Sequence, residues 1–282
     1  MKFLILGGKG QLGTRMADDL NAFGLVNYAC DIDDLDISDY KKLKFLINDF
    51  QPNTIINCAA YNNVEAAEDN WEAAYQVNSK APEYLAELAN DISANLVHYS
   101  TDYVFDGYAN APYREADEAI PLNVYGKSKL IGETAVEQIA KRALIFRTSW
   151  LYSKGEQNFI GKFLALAKDN PIIKVATNEI SIPTSARLIV DITLKAMEQD
   201  LEGLYHLTNS GFCSRFEYAE FIIKTLGLDN EIEPCKKEDF GLKALRPEYS
   251  VLDNRTIRRC LEIEIPDWQS DLSATLKKHY GQ

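Results

Sequence analysis

Paired cysteines are the first thing this sequence lacks. Five are spread over its 282 residues, Cys30, Cys58, Cys213, Cys235 and Cys260. They are odd in number, far apart and never C-x-x-C, which excludes a disulfide scaffold and a cysteine-built metal site and leaves reduced, structural thiols. Histidine is scarcer still. His98, His206 and His279 fall in no ligand spacing, too few for an imidazole zinc site or a Ser/His/Asp hydrolase. No apolar run approaches the ~18 residues of a membrane span, and the run before the first glycines is too short for a secretory signal. A soluble, cytoplasmic protein is expected. Positive charge is also short: 30 basic against 42 acidic residues leave a net charge of -12. That balance argues against nucleic acid and against anionic membrane surfaces as partners. An anionic ligand must then be held by local devices, a helix N-terminus or a few placed cations.

What is present is an ordinary globular composition, 46% hydrophobic and 26% charged, long enough for one large or two modest domains. Short apolar runs alternate with helical patterns through the first half, as parallel strands joined by helical crossovers do. Strands are expected at Phe3–Leu6, Val26–Cys30, Thr54–Cys58, Leu96–Tyr99 and Ala143–Phe146. Helices are expected at Leu12–Phe23, Asp39–Phe50, Glu65–Asn70, Trp71 to Asn90 with a break near Pro82, and Tyr125–Ala140. This is a doubly wound, Rossmann-like α/β pattern over residues 1–150. Beyond Trp150 the rhythm loosens: helices at Phe159–Lys168 and Leu188–Gln199 and strands at Ile172–Val175 and Leu204–Leu207 can still join the same sheet. Residues 151–282 read mainly as a smaller, interleaved substrate lobe, with helices at Phe216–Leu226 and Asp267–His279.

The first strand runs into Gly7-Gly8-Lys9-Gly10-Gln11-Leu12-Gly13. Glycines there permit a tight turn, close approach of backbone to a pyrophosphate, and close packing of helix on sheet. A glycine turn alone is weak evidence, but its place between a strand and a helix marks a dinucleotide site. A P-loop is excluded, since Gly13 is followed by Thr14-Arg15, and Gly126-Lys127-Ser128 has Pro121 where the first glycine belongs. Asp31 ends the second strand about twenty residues on, where an acid accepts from ribose hydroxyls and repels a 2'-phosphate. Lys9 partly offsets that repulsion, so NADH is expected as the preferred cofactor with NADPH accepted.

The second signal is Tyr125-Gly126-Lys127-Ser128-Lys129. Four residues apart on a helix, Tyr125 and Lys129 share a face. A phenol ordinarily titrates near 10; a fixed cation beside it favours the phenolate and equips the tyrosine to exchange a proton. An exposed helical pair is the plainer alternative for a Y-x-x-x-K taken alone. Upstream, His98-Tyr99-Ser100-Thr101-Asp102-Tyr103-Val104-Phe105 ends an apolar strand in hydroxyl residues. Strand ends of this kind border the ligand crevice of an open α/β sheet, so Ser100 or Thr101 can donate to a carbonyl oxygen.

Taken in order with Asn57-Cys58-Ala59-Ala60-Tyr61, Pro121-Leu122-Asn123-Val124, Phe146-Arg147-Thr148-Ser149-Trp150, Ile182-Pro183-Thr184, Gly203-Leu204-Tyr205-His206-Leu207 and Arg246-Pro247, these motifs resemble the extended short-chain dehydrogenases/reductases. Within them the similarity is to the dTDP-4-dehydrorhamnose reductase family, over nearly the whole chain. The resemblance implies NAD(P)H-dependent reduction of a dTDP-4-keto sugar. Tyr125 would be the proton donor, Lys129 would hold the nicotinamide ribose and tune Tyr125, and Thr101 would bind the carbonyl oxygen. It puts Gly7, Gly10, Gln11, Leu12, Gly13, Asp31, Asp36, Ile37, Ala59, Ala60, Tyr61 and Tyr99 on the cofactor side. Val64, Asp102, Tyr103 and Trp150 fall on the sugar side.

Two departures carry expectations of their own. Some members of that family form a magnesium-bridged dimer through glutamates in the first helix and just after the Pro-Thr segment. Here Arg15 and Arg187 stand there, and guanidinium groups do not ligate a hard cation, so neither bound metal nor that dimer is expected. Asn178-Glu179-Ile180-Ser181 replaces a more usual Asp-Gln-x-Gly beside the sugar pocket. Arg246 and Lys243 are candidates to clamp a substrate diphosphate, with surface salt bridges the plainer alternative. Another nucleotide-sugar reductase or epimerase would keep all these motifs. A regulatory subunit like that of methionine adenosyltransferase would not need Thr101, Tyr125 and Lys129 together.

Overall fold

A computed structural model describes residues 1–281. Its first half follows the alternating pattern: β1 (Lys2–Leu6), α1 (Gln11–Ala22), β2 (Val26–Cys30), α2 (Tyr40–Phe50), β3 (Thr54–Asn57), α3 (Val64–Asp69) and α4 (Trp71–Tyr75). A π turn at Gln76–Lys80 leads into α5 (Ala81–Asp91), then β4 (Asn95–Thr101), α6 (Val124–Ile139) and β5 (Ala143–Thr148). The second half contains β6 (Leu151–Tyr152), α7 (Phe159–Asp169), β7 (Ile172–Ala176), β8 (Ile180–Ser181), β9 (Thr184–Ser185) and α8 (Ala186–Glu198). It closes with β10 (Gly203–His206), β11 (Cys213–Ser214), α9 (Arg215–Leu226), β12 (Glu231–Cys235), α10 (Arg255–Leu261) and α11 (Trp268–His279).

Six parallel strands form one sheet in the order β10-β5-β4-β3-β1-β2. Side chains alternate across it and feed two cores. Phe3, Ile5, Val97, Tyr99 and Phe146 pack with α1 and α8 through Met16, Leu20 and Ile189. Leu4, Leu6, Ile55, Leu96 and Ile145 pack with α2, α5 and α6 through Leu43, Ile47, Leu85 and Val136. A parallel sheet buried on both faces needs such runs of apolar residues. A third core, with Tyr152, Phe163, Tyr218, Trp268 and Leu272, belongs to the second half. Among the described residues no helix is long and apolar enough to cross a membrane.

Two expectations change here. Strand β10 joins the main sheet beside β5, but β7 pairs with β12 in a sheet of its own. The sequence of β7 shows why: exposed Ile172 and Lys174 alternate with buried Ile173 and Val175, the period of a sheet covered on one face. Helical structure also runs through Pro82, which sits in the first turn of α5. Proline lacks the N–H that would bond the carbonyl four residues back, that of Asn78. The wider π turn absorbs the defect, and α6 packs against that same carbonyl at Gly132, where a Cβ would overlap the oxygen.

Candidate active site

The strand order reverses between β1 and β3, with β2 outside one and β4 outside the other. Ligands bind in the crevice beyond the carboxyl ends of an open sheet at such a point. The segments leaving β1 and β3 meet there. Gly7 has φ +78, and a Cβ on it would lie 2.7 Å from the Ala59 nitrogen. A side chain on Gly13 would overlap the Gly7 carbonyl. Gly10 precedes α1 and offers no side-chain cap, so the first-turn N–H groups keep their capacity for an anion. A cradle closed to side chains, opening on bare helix amides, fits the diphosphate of a dinucleotide. Gly7, Gly10, Gln11, Leu12 and Gly13 would hold it with Ala59, Ala60 and Tyr61.

The side chains around the cradle have prior engagements. Leu12 is 5% exposed in the core, and Gln11 Oε1 accepts from Ser153 Oγ (2.9 Å) and Asn158 Nδ2 (2.8 Å), bracing the loop against the second half. Asp31 Oδ2 accepts from the Lys9 N–H at 2.8 Å and Oδ1 from the Ile32 N–H at 2.8 Å. The Lys9 ammonium bonds Asp33 at 2.6 Å, not Asp31. Asp36 turns its carboxylate onto Ser38, and the Ile37 side chain is buried in the core below α2. Asn78, in the π turn, donates to the Tyr61 carbonyl (3.0 Å) and Ser128 Oγ (3.0 Å) and accepts from the Tyr61 N–H (2.8 Å). One buried amide thus fixes the loop after β3 to α6, one residue before Lys129.

Tyr125 and Lys129 come from the start of α6, whose first turn is capped by Asn123 through the Gly126 N–H at 2.8 Å. Thr101, Asp102 and Tyr103 come from the end of β4. The Tyr103 and Tyr125 rings meet edge to face at 5.9 Å. Burial pushes the Tyr125 phenol up to about 12, against the pull of the Thr101 hydroxyl, with the Asp102 charge adding to the rise. Lys129 is not among the groups that shift the Tyr125 phenol. Its ammonium donates at 2.5 Å to the Tyr99 carbonyl, and burial lowers it to about 8 against the raising effect of Glu133. Tyr99 meets the site through that carbonyl; its ring stacks on Phe146 and its hydroxyl bonds Thr193 Oγ1 at 2.9 Å in the core. The Ser100 hydroxyl is buried without a partner among the described residues.

Asp102 is 3% exposed and collects three hydroxyls. Ser250 donates at 2.5 Å and Ser181 at 3.0 Å to Oδ2, and Thr101 at 3.2 Å to Oδ1. Burial raises it to about 6 in spite of all three and of Arg215 nearby. Trp150 has a positive φ of 37, rare for a bulky residue and found where surrounding structure enforces it. Its indole stacks on Tyr218 at 6.1 Å and carries the Arg215 guanidinium 3.5 Å from the ring centroid. Val64 opens α3, half-buried. Sequence reasoning missed Asn78, Ser250 and Arg215, and met Ser181 only as part of the departure at Asn178–Ser181.

The other cations are committed. Lys243 Nζ bonds both oxygens of Asp69 (2.6 and 2.8 Å), and Arg246 lies against Glu65 at 3.4 Å and the Ala244 carbonyl at 3.0 Å. Arg15 bonds Asp19 at 2.7 Å, while Arg187 bonds Asp191 at 3.2 Å and Asp271 at 2.6 Å.

The RmlD substrate binding domain family matches residues 1–280. The spore coat polysaccharide biosynthesis protein SpsK of Bacillus subtilis is 36% identical over 91% of this chain and 90% of its own. The dTDP-4-dehydrorhamnose reductase of Burkholderia thailandensis is 35% identical over 95% and 96%. The structure of the Bacillus anthracis dTDP-4-dehydrorhamnose reductase in complex with NADP superposes with a TM-score of 0.95 at 33% identity, covering 98% of this chain and 99% of that one. With its doubly wound sheet, glycine cradle and full-length relatives, the chain belongs to the RmlD substrate binding domain family.

Proposed function

We propose that this chain reduces the 4-keto group of dTDP-4-dehydro-L-rhamnose to give dTDP-L-rhamnose, with NADH preferred and NADPH accepted. The observation that carries the proposal is the convergence of Thr101, Tyr125 and Lys129 beside the glycine cradle, at the point where the strand order reverses. The family it belongs to includes reductases of this substrate by name. A nicotinamide dinucleotide, when bound, supplies the hydride. The chain supplies the rest. Tyr125, kept neutral by burial, holds its proton at neutral pH and gives it to the keto oxygen as that oxygen gains charge. Lys129 keeps its position through the Tyr99 carbonyl and has two further N–H groups for ribose hydroxyls and for the phenolate left behind. The Thr101 hydroxyl donates to Asp102 Oδ1 and accepts from the Tyr103 N–H; donation to the keto oxygen requires that proton to turn.

Preference for NADH is supported by the carboxylates at the end of β2. Asp31, Asp33 and Asp34 stand there with Lys9 as the cation opposite them, and Lys9 is spent on Asp33. Residues 1–150 would carry the cofactor and 151–282 most of the nucleotide sugar. With Arg15 and Arg187 in ion pairs, no magnesium bridge between copies is expected; light scattering with and without chelator checks this. The decisive assay is NADH oxidation with dTDP-, UDP- and GDP-4-keto sugars. Turnover confined to the dTDP substrate is expected, and none with it refutes the proposal. A higher kcat/KM with NADPH than with NADH refutes the cofactor preference alone.

A further inference from the structure

A diphosphate approaching a protein of net charge -12 needs a cation whose donors are unspent. Around Asp102, Tyr103 and Trp150 most cations fail that requirement. Lys243 and Arg246 are held by Asp69 and Glu65, Lys237 donates to the Arg246 carbonyl, Arg147 is buried in a bidentate pair with Glu133, and Lys129 belongs to the proton-transfer set. Arg215 differs. Its side chain is 18% exposed, and its ion-pair contact is Glu179 Oε2, 3.5 Å from Nε. Its guanidinium lies on the Trp150 ring, 3.5 Å from the centroid, with Phe159 at 5.0 Å. Stacking occupies the flat faces of a guanidinium and leaves its N–H edges to donate in plane, the geometry that matches phosphate oxygens bidentately. Among the described residues the Nη groups have no hydrogen-bond acceptor, which leaves them to donate to an anionic ligand.

The position of Arg215 is also fixed. Its N–H bonds the Glu179 carbonyl at 3.0 Å. The preceding Ser214 forms a capping box with Glu217, which keeps that carboxylate on the helix end. Strand β11, just before it, pairs with β8, whose Ser181 donates to Asp102. A continuous chain of bonds thus links the end of β4 to Arg215, whose charge is felt at both Asp102 and Tyr103.

From this geometry we infer that Arg215, laid on Trp150, clamps the diphosphate of the nucleotide sugar. The inference rests on the proposed function and names the residue that reads the anionic part of that substrate.

The test compares inhibition by dTDP and by thymidine, which lacks the phosphates, in the wild type, Arg215→Gln and Arg215→Lys. A charge-assisted bidentate contact implies a rise of about ten- to a hundredfold in the dTDP inhibition constant of Arg215→Gln. The KM of the keto sugar rises with it, while thymidine inhibition and NADH affinity stay within about twofold. Arg215→Lys falls between, since charge remains and the fork is lost. Equal weakening of dTDP and thymidine overturns the inference, because Arg215 then only supports the shape of the pocket. An unchanged dTDP constant overturns it outright. UDP run in parallel separates the two claims: a wild type that binds UDP and ignores dTDP, with UDP lost in Arg215→Gln, keeps the clamp and refutes the dTDP proposal.

Discussion

The two sides of the crevice are built from different materials. On the side of the glycine cradle, contacts are made by backbone: Gly7 against the Ala59 nitrogen, uncapped amides of α1, the Tyr61 peptide held by Asn78. On the sugar side they are made by side chains brought from distant segments, Ser181, Arg215 and Ser250 converging on residues near Thr101 and Trp150. A backbone cradle tolerates little change in what lines it but demands little of residues elsewhere. A cradle of side chains can be retuned one residue at a time. The difference predicts that substitutions on the first side abolish or weaken cofactor binding, while those on the second shift substrate affinity and pH behaviour.

The largest effect tests where the sides meet. Tyr125→Phe removes the proton while keeping the ring against Tyr103, and kcat is expected to fall by about 10²–10⁴, with NADH affinity nearly unchanged. Activity within a few-fold of wild type would mean that another group protonates the keto oxygen. Next comes Gly7→Ala. The methyl meets the Ala59 backbone, and the positive φ adds strain of about 1–3 kcal/mol. The expected outcome is a lower melting temperature and an NADH dissociation constant raised about tenfold or more, read by fluorescence titration, with dTDP inhibition preserved. Equal loss of NADH and dTDP binding would break the division between the two sides.

That division also explains what could be read from the sequence. The glycine cradle and the segments of Thr101, Tyr125 and Lys129 were legible as structure because their determinants are local: a glycine run directly after an apolar strand, a tyrosine and a lysine one helical turn apart, a strand ending in hydroxyls. Each is fixed by spacing within a few residues, and the parallel sheet then brings them together. Ser250 and Arg215 were illegible for the converse reason. They lie 148 residues in sequence from Asp102 and 65 from Trp150, and nothing in their own neighbourhood marks them; only the tertiary fold makes them neighbours. Arg246 and Lys243 looked suited to a diphosphate by charge alone, but carboxylates of α3 occupy both. The break expected at Pro82 failed because a helix can widen into a π turn at a proline as well as end there.

The smallest effect is the most specific to the sugar side, and concerns Asp102. Its folded value of about 6 lies above the ordinary aspartate value of about 3.9, so between those limits the folded chain holds a proton that the unfolded chain has released. Stability linked to this group is therefore fully present at low pH and is lost as pH rises through about 6. Activity is expected to run the other way, because the carboxylate is the common acceptor that draws the Ser250, Ser181 and Thr101 hydroxyls together at the end of β4. Ser250→Ala removes a hydroxyl that favours the carboxylate, which moves the acidic limb of kcat/KM to higher pH. At pH 7 the loss should be several-fold, and at pH 8 it should nearly vanish, with the raised phenols of Tyr103 and Tyr125 staying protonated over that span. Asp102→Asn separates stability from function: it is expected to melt higher than wild type at pH 7, with the gain shrinking toward pH 4, and to be less active throughout. A variant that loses activity and melting temperature together at pH 7 would mean that Asp102 serves the fold, with the raised value an incidental consequence of burial.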